Sequence, residues 1–230
     1  MIQENLECVR EKINEAARFS GNAPEDITLI AVTKTHSADV INEAISLGVL
    51  DIGENKVQEI NEKYSDVQPV NWHLIGHLQT NKVKQVVDKV SLIHSVDSIK
   101  LLDEIEKQSA LRGIVSDVLI QVNISGEESK FGINPCDTER VIEYNEKLKN
   151  VKICGLMTIA PKLYEGFTNT KHFENIRRIF VDIGAKKYDN SNMKYLSMGM
   201  SGDFEEAIRC GSNMVRVGSA IFGKRDYEIK

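Results

Sequence analysis

The stretch ITLIAVTKTHSADVINEAISLGVLDIG, residues 27–53, holds a strand, a helix and a second strand in that order. Ile27 to Val32 is a β-branched apolar run of the kind that sits in a buried sheet. Ser37 and Gly48 then bracket an apolar pattern of helical spacing, with serine as the start signal and glycine as the stop. VLDIG resumes the strand pattern. Two strands joined through a helix pair in parallel by a right-handed crossover.

Working outward, the same unit recurs. NWHLIG, SLIHSV, SDVLIQVNI, VKICGLMTI, MKYLSM and NMVRVGSAI read as further buried strands, which makes eight with the first two. NKVQEINEKY, SIKLLDEIEKQSALRG (Ser98 start, Gly113 stop), TERVIEYNEKLKN, HFENIRRIFVDIG and DFEEAIRCG read as helices between them. An amphipathic opening helix with Leu6, Val9, Ile13, Ala16 and Ala17 on one face precedes them all. No Pro/Gly/Ser-rich linker interrupts the series, so residues 1–230 form a single domain. Eight such units in 230 residues predict a closed (β/α)₈ TIM-type barrel with an extra N-terminal helix. A doubly wound open sheet is the alternative, but its G-x-G-x-x-G fingerprint and the P-loop are both missing.

Bulk properties narrow the function. A hydrophobic fraction of 41% suffices for a sizeable core. Net charge is -5 with both signs interspersed, and Lys82, Lys84 and Lys89 are broken by Val and Asp88. A nucleic-acid partner is therefore not expected. No apolar run has the length of a membrane span, and an opening with Glu4 and Glu7 is unlike a signal peptide, so a cytoplasmic protein is expected. Cys8, Cys136, Cys154 and Cys210 are scattered without a C-x-x-C pair and read as ordinary thiols.

In such a barrel chemistry gathers at the C-terminal strand ends. Those ends carry Lys34, Glu54 and Asn55, His77, Ser95 and Asp97, Asn123, Met157 and Thr158, Met198 to Ser201, and Arg216 to Ser219. Lys34, on the first strand, is the odd residue. A lysine among apolar walls loses hydration, its ammonium form is disfavoured, and the neutral amine becomes a nucleophile for carbonyls. A lysine snorkelling to solvent is the plainer reading. SMGMSGDFEE gives strand, turn and helix start, with Ser201 expected as the cap and exposed N–H groups as an anion site. An ordinary cap supported by Asp203, Glu205 and Glu206 is the alternative. Gly218 and Ser219 follow the eighth strand, where barrel enzymes often complete a phosphate site. An aldehyde-capturing lysine beside a phosphate cup is what pyridoxal 5′-phosphate requires.

His73 and His77 in HLIGH are four apart, but no Glu follows His73 and Gly76 spoils a helix, so no zinc site is expected. His94 reads as a hydrogen-bonded core residue, and His36 and His172 as exposed ones. Arg216, taken alone, reads as a barrel-interior arginine paired with a carboxylate.

AVTKT, IGENKVQE, WHLIGHLQTNK, GLMTIAP, SMGMSGDFEEAI and GSNMVRVGSAIFG together resemble the pyridoxal phosphate homeostasis protein family, whose members are similar to the barrel domain of bacterial alanine racemases. The resemblance covers essentially the whole chain. It implies pyridoxal 5′-phosphate as cofactor, held as a Schiff base on Lys34. It implies the phosphate on Ser201, Gly218 and Ser219, and Arg216 near the pyridine nitrogen. Asn55 and His77 would line the cofactor, and Met157 and Met200 would wall its ring. NISGEESKFG departs from the racemase pattern, with Lys130, Phe131 and Gly132 where racemases show an arginine shortly before a glycine. The sequence ends at Lys230, short of the racemases' further β-domain with its tyrosine base. A monomer in cofactor homeostasis or delivery to apo-enzymes is therefore expected, with at most trace turnover of amino acids. A one-base amino-acid racemase or lyase, and a phosphate-binding barrel acting on sugars, are the rivals.

Overall fold

The computed structural model describes residues 1–127, 130–161 and 168–223. Its eight strands are β1 (Thr28–Val32), β2 (Asp51–Glu54), β3 (Asn71–Leu74), β4 (Leu92–Val96), β5 (Ser116–Gln121), β6 (Val151–Met157), β7 (Ser191–Met200) and β8 (Met214–Val217). They pair in sequence order, all parallel, and β8 closes on β1 through registers such as Ile30 with Arg216. The expected closed barrel is observed, with every strand at its expected place.

Helices α1 (Ile2–Phe19), α2 (Ala38–Ser46), α3 (Val57–Lys63), α4 (Ile99–Arg112), α5 (Thr138–Asn145), α6 (Thr170–Gly184), α7 (Phe204–Arg209) and α8 (Ser219–Phe222) surround it. Ser98 caps α4 as expected, its Oγ accepting the Leu101 N–H, and Gly113 ends the helix at φ 65°. The crossover between β3 and β4 differs: only a 3₁₀ turn, Thr80–Gln85, spans it. Lys82 and Lys84 sit on that turn, and Lys89 follows it.

Strand alternation divides the side chains into two layers. Outward-facing residues such as Ala31 and Ile52 join Leu6, Val9 and Ile13 of α1 and the other helices in the large outer core. Ile30, Leu92, Leu119, Cys154, Met157 and Met214 form a smaller cluster inside the barrel. The rest of the interior is polar, an uncommon content for a barrel centre that branched apolar residues usually fill. Register shifts in β6 beside Gly155 let both Cys154 and Met157 join this inner cluster.

Candidate functional site

A cavity of about 440 Å³ opens at the C-terminal strand ends, within the usual range for small-molecule sites. Lys34, Asn55, His77, Met200, Ser201, Arg216, Gly218 and Ser219 all line it. Eight of the nine residues singled out in the sequence are thus brought together. Met157 is the exception: it is fully buried in the inner cluster and is not among the residues lining the mouth. Gln121, Phe131 and Ile159 line the cavity without having been foreseen.

Lys34 lies two residues beyond the end of β1, in the turn rather than on the strand. It keeps the inward parity of Ile30 and Val32, which is why it reaches the mouth. The next residue, Thr35, has φ 70°, a left-handed backbone that a β-branched residue adopts only under constraint. The constraint is visible. Thr35 N–H donates to Glu59 Oε2 at 2.7 Å. Lys63 Nζ in turn bonds Glu59 Oε2 and Glu54 Oε1, each at 2.9 Å, and the Thr33 carbonyl at 3.3 Å. Thr33 Oγ1 completes the set by donating to Glu54 Oε1 at 2.8 Å.

Glu54 is therefore not in the mouth as expected. Neighbours on a strand face opposite ways, so Asn55 faces in and Glu54 faces out, fully buried against Lys63. Burial pushes the Glu54 carboxyl up, against the opposing pull of Lys63 and Thr33. For Glu59, burial also works upward, but the Thr35 N–H and Lys63 outweigh it and leave the carboxyl below its ordinary value. This clamp was not read from the sequence, although Glu59 and Lys63 have the four-residue spacing of a helical ion pair.

On the β8 side the anion cup differs in detail from expectation. Ser201 does not cap α7; Asp203 occupies that position, and its Oδ1 accepts the Met200 N–H at 2.7 Å. Ser201 Oγ instead accepts the N–H groups of Gly218 at 3.1 Å and Ala220 at 3.4 Å. Two hydroxyls, Ser201 and Ser219, and the first amides of α8 thus converge at one part of the mouth. Gly218 is needed for the approach, because a Cβ there would lie 3.2 Å from Val32 Cβ and 3.3 Å from its carbonyl oxygen.

Between these parts sits Arg216, only 4% exposed. Nη1 donates to Ser197 Oγ at 2.5 Å and Nη2 to the Thr158 carbonyl at 2.8 Å. Both partners are neutral, and Arg216 itself makes no carboxylate ion pair among the described residues, contrary to the plain reading of an interior arginine, Asp203 attracting it from beyond ion-pair reach. Burial lowers its pKa to about 10, so it stays charged at neutral pH. A buried cation on neutral partners is a costly arrangement, of the kind that functional sites retain.

His77 is held from behind by Asp97, Nδ1 to Oδ2 at 3.0 Å, and stacks on Phe131 with centroids 3.8 Å apart. A carboxylate on Nδ1 fixes the proton there and leaves Nε2 as the acceptor. His73 does not accompany it: it is buried inside the barrel on His94 and Asp51. His94 is the buried, hydrogen-bonded residue expected. His36 and His172 are half-buried rather than exposed, His36 lying against Phe222. Glu128 and Ser129 of the NISGEESKFG segment fall outside the described residues.

The family model for the alanine racemase N-terminal domain matches residues 4–226. A pyridoxal phosphate homeostasis protein of Aquifex aeolicus is 42% identical over 226 residues, covering 97% of this chain and 98% of that protein. Among solved structures, PipY of Synechococcus elongatus PCC7942 with PLP bound superposes with a TM-score of 0.82 at 31% identity, covering 97% of this chain and all of that one. An alanine racemase of Clostridium difficile shares the fold at 16% identity and TM-score 0.71, with this chain spanning 57% of its length. The chain belongs to the alanine racemase N-terminal domain family, and within it to the pyridoxal phosphate homeostasis proteins.

Proposed function

We propose that this protein binds pyridoxal 5′-phosphate in the mouth cavity through Lys34 and serves, as a cytoplasmic monomer, in homeostasis of that cofactor and its delivery to apo-enzymes. The observation that carries the reading is the donor set of one cavity: a lysine amine, a cup of two hydroxyls and helix-start amides, and a buried arginine with neutral partners. These suit an aldehyde, a phosphate and an unprotonated ring nitrogen in turn. A PLP-bound structure of a similar protein supports the choice of ligand.

Each residue has a physical task in this reading. Lys34 would hold the cofactor through its aldehyde group, and the Glu54–Lys63–Glu59 clamp holds the turn that carries this amine. Ser201 and Ser219 would bind the phosphate through their hydroxyls without a cation, and the amides of Gly218 and Ala220, donating to Ser201 Oγ, leave its O–H to donate. Arg216 would face the pyridine nitrogen, where its fixed charge would disfavour protonation of the ring. The bound cofactor supplies an electron sink, which is weak when the ring nitrogen carries no proton. Binding is thereby favoured over carbanion chemistry, in keeping with the homeostasis names of similar proteins.

A one-base racemase or lyase remains the second reading, favoured by the Asp97-backed His77 at the mouth. Mixing decides between them. Loaded protein should restore activity to a PLP-dependent apo-enzyme, while alanine or serine in deuterated water should gain almost no deuterium at Cα. Turnover above roughly a few per second would establish the enzyme instead.

A further inference from the structure

Five polar side chains of the barrel interior form one continuous chain. Asp51, at the start of β2, accepts from His73 Nε2 at 2.9 Å. His73 Nδ1 lies 2.9 Å from His94 Nε2, and His94 Nδ1 lies 3.1 Å from Ser197 Oγ. Ser197 Oγ accepts from Arg216 Nη1 at 2.5 Å. Five strands contribute one residue each. The chain runs from a polar cavity of about 240 Å³ at the N-terminal strand ends, lined by Asp51, Asn71, His73, Asp117 and Tyr195, to the mouth cavity lined by Arg216.

With both imidazoles neutral, hydrogen-bond chemistry permits only one direction along it. A carboxylate only accepts, so His73 carries its proton on Nε2. Its Nδ1 is then the acceptor, which places the His94 proton on Nε2 as well. His94 Nδ1 in turn accepts the Ser197 hydroxyl proton, and Ser197 Oγ takes the Arg216 N–H. Every donor points toward Asp51. A second proton on either ring breaks the order: His94 Nδ1–H and Arg216 Nη1–H would then both aim at Ser197 Oγ, and the serine proton would lose its acceptor. Such an unsatisfied buried donor is costly. Asn71 Nδ2 anchors the far end by donating to the same Asp51 oxygen at 3.1 Å.

We propose that Asp51, His73, His94 and Ser197 are positioning residues for Arg216: a one-directional hydrogen-bond relay, ending on a carboxylate at the opposite end of the barrel, that sets the orientation and donor strength of Arg216 toward the ring nitrogen. The role toward the cofactor rests on the reading of the mouth cavity as a pyridoxal phosphate site; the relay itself does not. Polarised bonds in series reinforce one another in a low-dielectric interior. The relay thereby couples a half-buried carboxylate at one mouth to the ligand at the other.

Two measurements test it. In the ¹⁵N-labelled protein without cofactor, at pH 7.5, histidine ring spectra should show His73 and His94 both as neutral Nε2–H tautomers. An Nδ1–H tautomer or a doubly protonated ring at either position overturns the relay. With pyridoxal phosphate as probe, Ser197→Ala should weaken binding about twofold to tenfold and shift the visible band, and Ser197→Thr should restore both. Asp51→Asn, remote from the cavity, should act in the same direction and more weakly. Wild-type affinity and spectrum in both Ser197→Ala and Asp51→Asn would overturn the positioning role even with the tautomers as stated. If the wild-type protein binds no pyridoxal phosphate, the cavity reading and the positioning role fall together, and the tautomers still report the relay.

Discussion

The two sides of the mouth are built by opposite means. The Lys34 side is a left-handed turn held by charges, Glu54 buried and Glu59 and Lys63 half-buried: Thr35 N–H on Glu59, and Lys63 shared between Glu59, Glu54 and the Thr33 carbonyl. The β8 side carries no side-chain charge in its cup, only Ser201 Oγ and the amides of Gly218 and Ala220. On the proposed reading, the difference follows from what each side must do. A strained turn costs about 1–3 kcal/mol and needs strong local interactions to persist. An anion cup needs donors whose dipoles are already aligned, and a carboxylate there would repel a phosphate.

The comparison breaks most completely at the residue it is built around. Lys34→Ala should abolish the visible band of bound cofactor while leaving the fold intact, because the side chain lies beyond the end of β1. Phosphate-anchored binding should survive in part, since the cup does not use the lysine. A wild-type absorption spectrum in this variant would remove Lys34 from the site.

The charged side should be the more fragile in stability. Lys63→Met leaves Glu54 fully buried without its cation, and loss of one partner of a buried pair costs about 3–5 kcal/mol. Chemical denaturation should show that loss; a change under 1 kcal/mol would mean that the clamp is ornamental. The neutral side should respond in affinity alone. Ser201→Ala and Ser219→Ala should each weaken pyridoxal phosphate binding by about 1.5–3 kcal/mol, roughly tenfold to a hundredfold, with the melting of the cofactor-free protein little changed. Calorimetric titration giving wild-type affinity for the double variant would place the phosphate elsewhere.

Acid should sharpen the same contrast. Glu59 is held below its ordinary pKa in the folded protein, so its contribution is full above the unfolded-state value and is lost as pH falls through the lowered folded one. Denaturation midpoints of the wild type should therefore fall more steeply with acid than those of Glu59→Gln, which keeps an acceptor for Thr35 N–H but has no charge to lose. Parallel pH profiles would contradict the clamp's electrostatic character. The smallest effect is expected at the rim. Asn55→Ala and His77→Ala should shift the bound cofactor's spectrum or its pH dependence without unfolding the protein, and spectra that overlay the wild type would return both residues to the scaffold.

How far the sequence reaches is itself governed by these two chemistries. Eight continuous apolar runs were legible because parallel barrel strands are buried on both faces. Cup residues were legible because serine and glycine after strands seven and eight have a recognisable place in such barrels. The lysine turn was only half legible. Glu54 and Asn55 are both polar at one strand end, and composition does not say which faces in; parity does, once Asn55 is fixed. The cap role expected of Ser201 was wrong because a serine before a helix reads as its cap, whereas Asp203 takes that place and frees Ser201 to reach across to α8. Met157 was expected beside the ring from the resemblance; it does face the barrel interior, but it packs in the inner cluster and not among the residues lining the mouth. The interior chain from Asp51 to Arg216 joins residues up to 165 positions apart in sequence and leaves no local pattern.

The central claim, that Lys34 holds the cofactor, is tested most directly by chemical trapping. The protein is incubated with pyridoxal phosphate, reduced with borohydride, digested and mapped by mass spectrometry. The account predicts one stoichiometric pyridoxyl-phosphate adduct, on Lys34, with loss of the yellow colour on reduction. An unmodified Lys34, or a stoichiometric adduct on any other lysine, would contradict it.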